Sequence, residues 1–174
     1  MRIVITGNPG TGKTAIAAWL AQKLDYTLLS LTPFIRKHRL HKKNEVDLKK
    51  LRKALLPIIH RQPDLILEGH LACEMALPID YVIVTRCHPK ILRQRLRKRH
   101  YAHKKLEEDM MAELLDYATQ KSERNYRVPT LEIETAHRSI VRCGQILLQA
   151  IKLKKKKLNG INYQKELLKE LKLR

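Results

Sequence analysis

Short apolar segments alternate with amphipathic segments along most of the chain. The apolar segments are four to six residues long and rich in β-branched residues, which is typical of buried parallel strands. They lie at 2–6, 26–31, 64–67, 81–85 and 130–135. Between them, apolar residues recur three or four positions apart, as they do on one face of a helix. This alternation predicts an α/β fold in which helices cover both faces of a parallel sheet.

The amphipathic segments predict six helices within this pattern. Thr32 followed by Pro33 is typical of a helix start, because threonine caps the free amide groups and proline fits the first turn. The longest segment predicts one continuous helix over 104–124. A short amphipathic segment with Tyr163, Leu167, Leu168 and Leu171 follows the last of these elements, and we expect a mobile helix or a docking arm there. The six helices are predicted at 14–24, after Thr32, and at 47–60, 88–98, 104–124 and 139–153.

Length and composition limit the class of protein. A chain of 174 residues with 44% hydrophobic residues suits one globular domain and excludes wholesale disorder. No apolar run approaches the roughly 18 residues of a membrane span, and the first residues do not resemble a signal peptide. The three cysteines, Cys73, Cys87 and Cys143, have no metal-binding spacing. We therefore expect reduced thiols and a cytoplasmic protein without a membrane partner.

The positive charge of the chain is concentrated in three blocks. The formal net charge is +19, which predicts attraction to polyanions such as nucleotides and RNA. Residues 31–62 contain ten basic and two acidic residues, 86–105 contain nine and none, and 151–174 contain nine and two. The remainder of the chain is mildly acidic. Any one block is compatible with an ordinary solvated helix face, but three blocks beside a phosphate-binding motif favour an anionic partner.

Residues 7–14, Gly-Asn-Pro-Gly-Thr-Gly-Lys-Thr, match the phosphate-loop pattern G-x-x-x-x-G-K-[ST]. A predicted strand precedes the motif and a predicted helix follows it, as its chemistry requires. The glycines allow several backbone N–H groups to point at one anion, and the helix N-terminus adds its positive end. In this motif Lys13 is expected to reach the β- and γ-phosphates of a nucleotide, and the Thr14 hydroxyl to bind Mg²⁺. The chain lacks the D-x-x-G and N-K-x-D motifs of GTPases, which favours a small kinase.

Two further groups of residues are candidates for catalysis. Glu68 and His70 follow an apolar strand, at the sheet edge that faces ligands in open α/β folds. Glu68 is expected to hold a water on Mg²⁺, and His70 to order water or the nucleotide, although a capping acid and an ordinary polar histidine remain alternatives. Arg95 and Arg99 are spaced to share a helix face. We expect them to close over the transferred phosphate and exclude water.

Taken together, these motifs resemble those of the archaeal branch of the adenylate kinase isoenzyme six family, whose members are linked to small-subunit ribosome assembly. The resemblance covers residues 1 to about 150. It implies the P-loop nucleoside monophosphate kinase fold, with a five-stranded parallel sheet, a monophosphate-binding lobe at about 30–53 and a lid at about 98–108. The motifs are Gly7–Thr14, Glu68–Leu71, Asp80–Val84, Arg86–Pro89, Arg95-Leu96, Arg99 with Tyr101, Lys105 and Ala112-Glu113.

The resemblance also implies ligands and roles for particular residues. The kinase domain is expected to span 1–153, and the basic segment 154–174 is an extension. Arg36 is the candidate for the phosphate of the monophosphate acceptor. Thr14 and Glu68 are the candidates for Mg²⁺, with Glu68 acting through water. The implied ATP contacts fall on Gly10, Gly12, Lys13, Thr14, Ala15 and, from the lid, Arg99.

Three functions are compatible with these residues. The leading hypothesis is an adenylate kinase that converts ATP and AMP into two ADP, with Lys13, Glu68, His70, Arg95 and Arg99 as its catalytic residues. The second hypothesis is an ATPase of ribosome assembly, with the small-subunit protein uS11 and rRNA as partners. The resemblance implies these partners, and the basic charge is compatible with rRNA. The third hypothesis is a kinase of another small metabolite on the same fold.

Overall fold

Five parallel strands form the central sheet of the protein. A computed structural model describes residues 1–42, 45–99, 102–158 and 160–172 of the chain. The described residues form five strands of this sheet and two strands outside it, numbered in chain order. They are β1 (Arg2–Thr6), β2 (Thr27–Ser30), β3 (His41–Lys42), β4 (Glu45–Val46), β5 (Leu65–Glu68), β6 (Tyr81–Arg86) and β7 (Thr130–Glu134). The sheet has the order β2-β5-β1-β6-β7, and β3 and β4 form a separate antiparallel hairpin. The predicted parallel α/β sheet is therefore confirmed, and the hairpin is an addition to it.

Strand β1 lies at the centre of this sheet. It pairs with β5 through Ile5 and Glu68, and with β6 through Ile5 and Ile83. Alternate residues of β1 belong to different hydrophobic clusters, since Val4 packs on one face and Ile3 and Ile5 on the other. An apolar strand with no polar face is stable only when both faces are covered. This burial places the carboxyl ends of β1, β5 and β6 side by side at one edge.

The helices cover the sheet on both faces. One cluster brings α1 and α7 against the sheet, and the other brings α2, α3 and α6 against the opposite face. In the part of the chain that the structure describes, no helix is long and apolar enough to cross a membrane. The helices are α1 (Lys13–Leu24), α2 (Leu31–Lys37), α3 (Leu48–Arg61), α4 (Pro89–Arg97), α5 (His103–Leu114), α6 (Tyr117–Asn125), α7 (Ile140–Lys152) and α8 (Gln164–Lys172), with a 3₁₀ helix at His70–Glu74.

The prediction of one long helix over 104–124 is wrong. The chain forms α5 and α6 instead, and the residue before α6, Asp116, has a left-handed backbone with φ of 53°. Its carboxylate accepts a hydrogen bond from the buried guanidinium of Arg86. Aspartate tolerates this backbone region better than most residues, and the ion pair directs it inward. The apolar periodicity carries no signal of this turn.

The predicted start of the second helix is also displaced. Helix α2 begins at Leu31 with Ser30 before it, so Thr32 and Pro33 lie within the first turn. The amide groups of a first turn have no partner inside the helix, so proline is tolerated there. The predicted lobe at 30–53 contains α2, the β3–β4 hairpin and the first turn of α3. Residues 43 and 44 of this lobe, and 100 and 101 of the predicted lid, lie outside the described residues.

The C-terminal segment does not extend away from the domain as a mobile arm. Helix α8 packs against α5, and Tyr163 immediately before it is buried. Lys154–Lys157, by contrast, are exposed. The predicted amphipathic segment is therefore present, but it packs against the rest of the protein.

Helices α1 and α7 cross closely at Gly144. A Cβ atom at this position would lie 2.1 Å from Cε3 of Trp19 and 2.5 Å from its Cζ3. Such contacts are far inside van der Waals distance, and the indole belongs to a packed cluster. Glycine is therefore required for the packing of the helix that follows the phosphate loop.

We expect Gly144→Ala to lower the free energy of unfolding by about 1–3 kcal/mol, because the methyl group forces the indole out of its position. The loss is expected even though alanine is the better helix former. Urea denaturation followed by far-UV circular dichroism measures it. Gly160→Ala is the matched control, since its Cβ would meet only Glu132 Oε2 at 3.9 Å. Equal stability of the two variants would contradict the packing argument.

Candidate active site

Residues 7–14 form a loop between β1 and α1 whose glycines adopt backbone conformations that other residues rarely adopt. Gly10 has φ of 84° and Gly12 has φ of 87°, and Gly12 directly precedes α1. At Gly7, with φ of 135°, a Cβ atom would lie 2.4 Å from the carbonyl oxygen of Thr85. The loop therefore follows the end of β6 closely before it curls into the helix. This path presents backbone N–H groups and the N-terminus of α1 to the cleft.

Three threonines hold this loop in place. The Thr11 hydroxyl donates to the carbonyl oxygen of Asn8 at 2.7 Å and lies 2.7 Å from the Thr85 hydroxyl. From the end of β7, the Thr135 hydroxyl donates to the carbonyl oxygen of Thr11 at 2.8 Å. Thr11, Thr85 and Thr135 are buried. Thr85 and Thr135 have no sequence signal as site residues, since they become neighbours of the loop only when the strand ends align.

Lys13, Thr14 and Glu68 meet beside the loop. The Thr14 hydroxyl donates to Glu68 Oε1 at 3.1 Å, and Lys13 Nζ donates to the carbonyl oxygen of Asn8 at 3.4 Å. Burial lowers the pKa of Lys13, although Glu68 opposes the shift by attraction. Glu68 is buried because it ends β5 next to β1. The structure therefore brings together three residues that the sequence predicted to act jointly.

His70 lies at the start of the 3₁₀ helix, on the same side of the sheet. The surrounding walls partly desolvate the imidazole, and Lys13 and Lys105 repel its protonated form, so its pKa is below the usual value. The ring is therefore mainly neutral at pH 7, where it can donate one hydrogen bond and accept another. This state suits a residue that orients water or phosphate, which is the role predicted for His70.

A cavity of about 730 Å³ opens above the phosphate loop. Lys105 and Asp109 of α5 face it, and Arg99, which follows α4, borders it from the predicted lid. Burial raises the pKa of Asp109, and its Oδ2 atom is buried without a hydrogen-bond partner. Several of the charged and polar residues that line the cavity come from the loop, from the strand ends and from the lid side: Lys13, Thr14, Glu68, His70, Arg99, Lys105 and Asp109.

A second cavity of about 550 Å³ adjoins the first. Both are lined by Thr32, His70, Leu71 and Glu74. Besides His70, the second cavity contains the predicted site residue Arg36, which is exposed on α2. Its remaining wall combines apolar side chains of the predicted lobe with two polar ones: Ile35, His41, Glu45, Val46 and Leu48.

The two predicted lid arginines occupy different positions. Arg99 borders the larger cavity. Arg95 instead donates to the carbonyl oxygen of Gly10 at 3.2 Å and to that of Thr135 at 2.9 Å. The Arg95 side chain therefore ties the phosphate loop to the end of β7. Among the other predicted ATP contacts, Gly12 precedes α1, and Ala15 lies exposed in its first turn.

The side chains that could hold a metal ion are few. Among the described residues, no group of three or more His, Cys, Asp or Glu residues could hold a metal ion. A hydroxyl and a carboxylate at 3.1 Å, those of Thr14 and Glu68, do suit Mg²⁺. This ion prefers oxygen ligands and usually takes most of them from water and substrate phosphates. The residues present therefore fit a magnesium ion that arrives with a nucleotide.

Comparison with known proteins identifies the family of this chain. The sequence pattern of the AAA domain family matches residues 3–116. A protein of Methanocaldococcus jannaschii named "Putative adenylate kinase" is 34% identical over 94% of this chain and 93% of its own length. A protein of Thermococcus onnurineus with the same name is 32% identical over 92% of this chain and 89% of its own.

The chain belongs to the AAA domain family. The phosphate loop and the strand-end residues Glu68 and His70 fall within the matched residues 3–116. Solved structures of two kinases share the fold of this AAA domain protein. Shikimate kinase from Acinetobacter baumannii, in complex with shikimate, superposes with a TM-score of 0.67 at 20% identity, over 88% of this chain and 94% of that one.

A second solved structure agrees on the fold. Deoxyadenosine kinase from M. mycoides with bound dATP has a TM-score of 0.60 at 17% identity, and the match covers 87% of this chain and 100% of that one. At such identities the likeness shows the architecture alone. It confirms for this AAA domain protein the predicted kinase-type arrangement of a five-stranded parallel sheet flanked by helices.

We expect Arg95→Ala to lower the free energy of unfolding of the nucleotide-free protein by about 1–3 kcal/mol, because two carbonyl groups lose a charged donor. Chemical denaturation without nucleotide measures the loss. Arg97→Ala is the control, since Arg97 is exposed on the same helix. If Arg95 acts only on a bound nucleotide, the two variants will be equally stable.

Proposed function

We propose that the protein is an adenylate kinase, which transfers the γ-phosphate of ATP to AMP and forms two molecules of ADP. The observation that carries this proposal is the pair of adjoining cavities. One lies over a phosphate loop, and the other contains Arg36 and apolar walls. A reaction between two nucleotides needs two such sites with a common boundary, and His70 lies at that boundary. The names of the archaeal relatives support the same function.

The donor site would act by position and charge. The phosphate loop would hold the β- and γ-phosphates through backbone N–H groups, with Lys13 beside them. Charge spreads over the transferred phosphoryl group in the transition state, and fixed cations stabilise it without reorganisation. Lys13 lies at the loop, and Arg99 and Lys105 face it across the cavity. Closure of the lid side over this space would exclude water and favour transfer over hydrolysis.

The acceptor site would combine a cation with apolar contacts. Arg36 would bind the phosphate of AMP, because a guanidinium binds phosphate through two parallel hydrogen bonds. Ile35, Val46 and Leu48 offer apolar surface for the nucleoside. The neutral imidazole of His70 stands between the sites, where it can order the reacting phosphate or a water.

Thr14 and Glu68 would hold Mg²⁺, with Glu68 acting through a bound water. When present, the ion neutralises part of the charge of the β- and γ-phosphates. Lys13 would bind the same phosphates through its ammonium group. That group already lies near the loop, because it donates to the carbonyl oxygen of Asn8.

We expect ADP formation to depend on AMP and to be lost in Lys13→Ala, because the phosphates then lack their main side-chain cation. A coupled assay of ADP with and without AMP measures this dependence. Unchanged turnover in Lys13→Ala would remove the phosphate loop from the reaction. ADP formation that is indifferent to AMP would contradict the kinase and support an ATPase.

We expect Arg36→Ala to raise the KM for AMP at least about tenfold, which corresponds to about 1.4 kcal/mol, and to leave the KM for ATP nearly unchanged. The reason is that Arg36 lies in the second cavity alone. Steady-state kinetics with each substrate varied in turn measures both constants. Lys37→Ala is the matched control, because Lys37 is its exposed neighbour on α2. Equal effects on both substrates would contradict the assignment of the acceptor site.

The charge distribution favours a second candidate, an ATPase of ribosome assembly from the isoenzyme six branch. Lys49, Lys50, Arg52 and Lys53 are exposed on α3, as are Lys154–Lys157 near the C-terminus. Such surfaces bind RNA phosphates with strong salt dependence. Under this proposal rRNA and uS11 would be cytoplasmic partners, and nucleotide turnover would switch a binding surface. The AMP assay separates this candidate from the kinase.

A further inference from the structure

The segment from Gly160 to Lys172, here called the C-terminal strap, returns to the kinase domain. Tyr163 is only 4% exposed, and its hydroxyl donates to Glu134 Oε1 at 3.2 Å. The backbone N–H of Ile161 donates to Glu132 Oε2 at 3.1 Å. The strap is therefore anchored at the end of β7, at the edge of the sheet that carries the phosphate loop.

The aromatic ring of Tyr163 covers a buried ionic network. The guanidinium of Arg86, at the end of β6, lies 5.1 Å from the ring centroid. Arg86 is 1% exposed and donates from Nε to Glu113 at 2.8 Å, from Nη1 to Glu132 at 2.8 Å and from Nη2 to Asp116. Burial disfavours its charge, but attraction to Glu113 and Asp116 outweighs that effect and raises its pKa. The stability of the network thus depends on its shielding from water.

Glu113 connects the network to the phosphate loop. One carboxylate oxygen accepts from Arg86 and, at 3.0 Å, from the backbone N–H of Cys87. The other accepts from Nδ2 of Asn8 at 2.7 Å. The carbonyl oxygen of Asn8 in turn accepts from Lys13 Nζ at 3.4 Å. The same carbonyl oxygen also accepts from the Thr11 hydroxyl at 2.7 Å, whereas the side-chain amide of Asn8 is oriented by Glu113.

The strap also contacts the helix that borders the loop. Glu170 lies 3.0 Å from Arg93, and Glu166 lies 3.7 Å from His88 at the start of α4. Helix α4 carries Arg95, which donates to the carbonyl oxygen of Gly10. The strap therefore reaches the phosphate loop along two routes, one through the buried network and one through α4.

We propose that Glu113 is a positioning residue for the phosphate loop and that the C-terminal strap, with Tyr163 over Arg86, keeps it in the orientation that binds nucleotide. The proposal rests on the proposed function in one respect, the binding of ATP at this loop. Without the ring, water enters the network and weakens the attraction between Arg86 and its carboxylates. Glu113 then loses its fixed orientation, and the side-chain amide of Asn8 in the phosphate loop loses its partner.

The first experiment compares three variants of the full-length chain. Tyr163→Ala removes the ring, Tyr163→Phe keeps the ring and loses only the bond to Glu134, and Leu168→Ala changes a side chain of the strap that is 52% exposed. Equilibrium titration with a fluorescent ATP analogue gives the dissociation constant. We expect Tyr163→Ala to raise it about tenfold, the scale of a buried cation–π contact. Tyr163→Phe should recover most of the affinity, and Leu168→Ala should bind as the unmodified protein does.

The second experiment is a double-mutant cycle with Asn8→Ala, which removes the amide that Glu113 holds. If the strap acts through Glu113 and Asn8, the loss in the double variant will be smaller than the sum of the two single losses. Additive losses would overturn the proposed route. Glu113→Gln extends the cycle, because it keeps the size of the side chain and changes its bonds to Arg86 and Asn8. We expect its loss to be non-additive with that of Tyr163→Ala.

Three outcomes separate this proposal from its alternatives. A purely structural strap predicts a lower unfolding temperature for Tyr163→Ala with an unchanged dissociation constant, and that result would refute the proposal. Should Tyr163→Ala fail to fold, Tyr163→Leu replaces it, since leucine keeps apolar volume without an aromatic face. If the unmodified protein does not bind the analogue, the proposed function fails as well. If the unmodified protein binds and the Tyr163 variants bind equally well, only the strap proposal fails.

Discussion

The buried charge of Arg86 is the constraint on which the arrangement of this molecule depends. A guanidinium away from water is stable only when carboxylates surround it in good geometry. Glu113, Asp116 and Glu132 supply them from two different parts of the chain. To meet at Arg86, α5 must end at Leu114, Asp116 must adopt a left-handed backbone, and β7 must pair beside β6. The requirement of one side chain thus fixes the relative positions of the elements around the phosphate loop.

The cleft above the phosphate loop differs electrostatically from the network around Arg86. Lys13, Arg99 and Lys105 face a space that is also lined by Glu68, Glu74 and Asp109. Burial lowers the pKa of Lys13 and raises that of Asp109, so the folded protein holds charges there at a cost. An anionic ligand would stabilise the charge of Lys13 by attraction. The stable network around Arg86 and the less stable cleft share Asn8, which contacts both Glu113 and Lys13.

Much of the fold and part of the site were predictable because they depend on local pattern. The β1 segment has no polar face, which already indicated a central strand. The loop from Gly7 to Thr14 has a backbone that only its glycines allow, so its conformation could be predicted from its amino-acid sequence. Glu68 was predictable because parallel strands end at one edge. The break between α5 and α6 was not predictable, since the left-handed turn at Asp116 depends on Arg86, 30 residues earlier.

The sheet and the phosphate loop could be inferred from the sequence, because apolar periodicity and glycine placement act over a few residues. The contacts of the arginines and of the C-terminal segment, by contrast, depend on the tertiary structure. Arg95 and Arg99 lie one turn apart in sequence. Arg95 donates to the carbonyl oxygen of Gly10, whereas Arg99 borders the cavity above the phosphate loop. The sequence predicted a mobile helix or a docking arm around Tyr163, whereas the ring of this residue packs over Arg86. The partner of a charged or aromatic side chain depends on which distant elements fold against it, and no local pattern of residues records that.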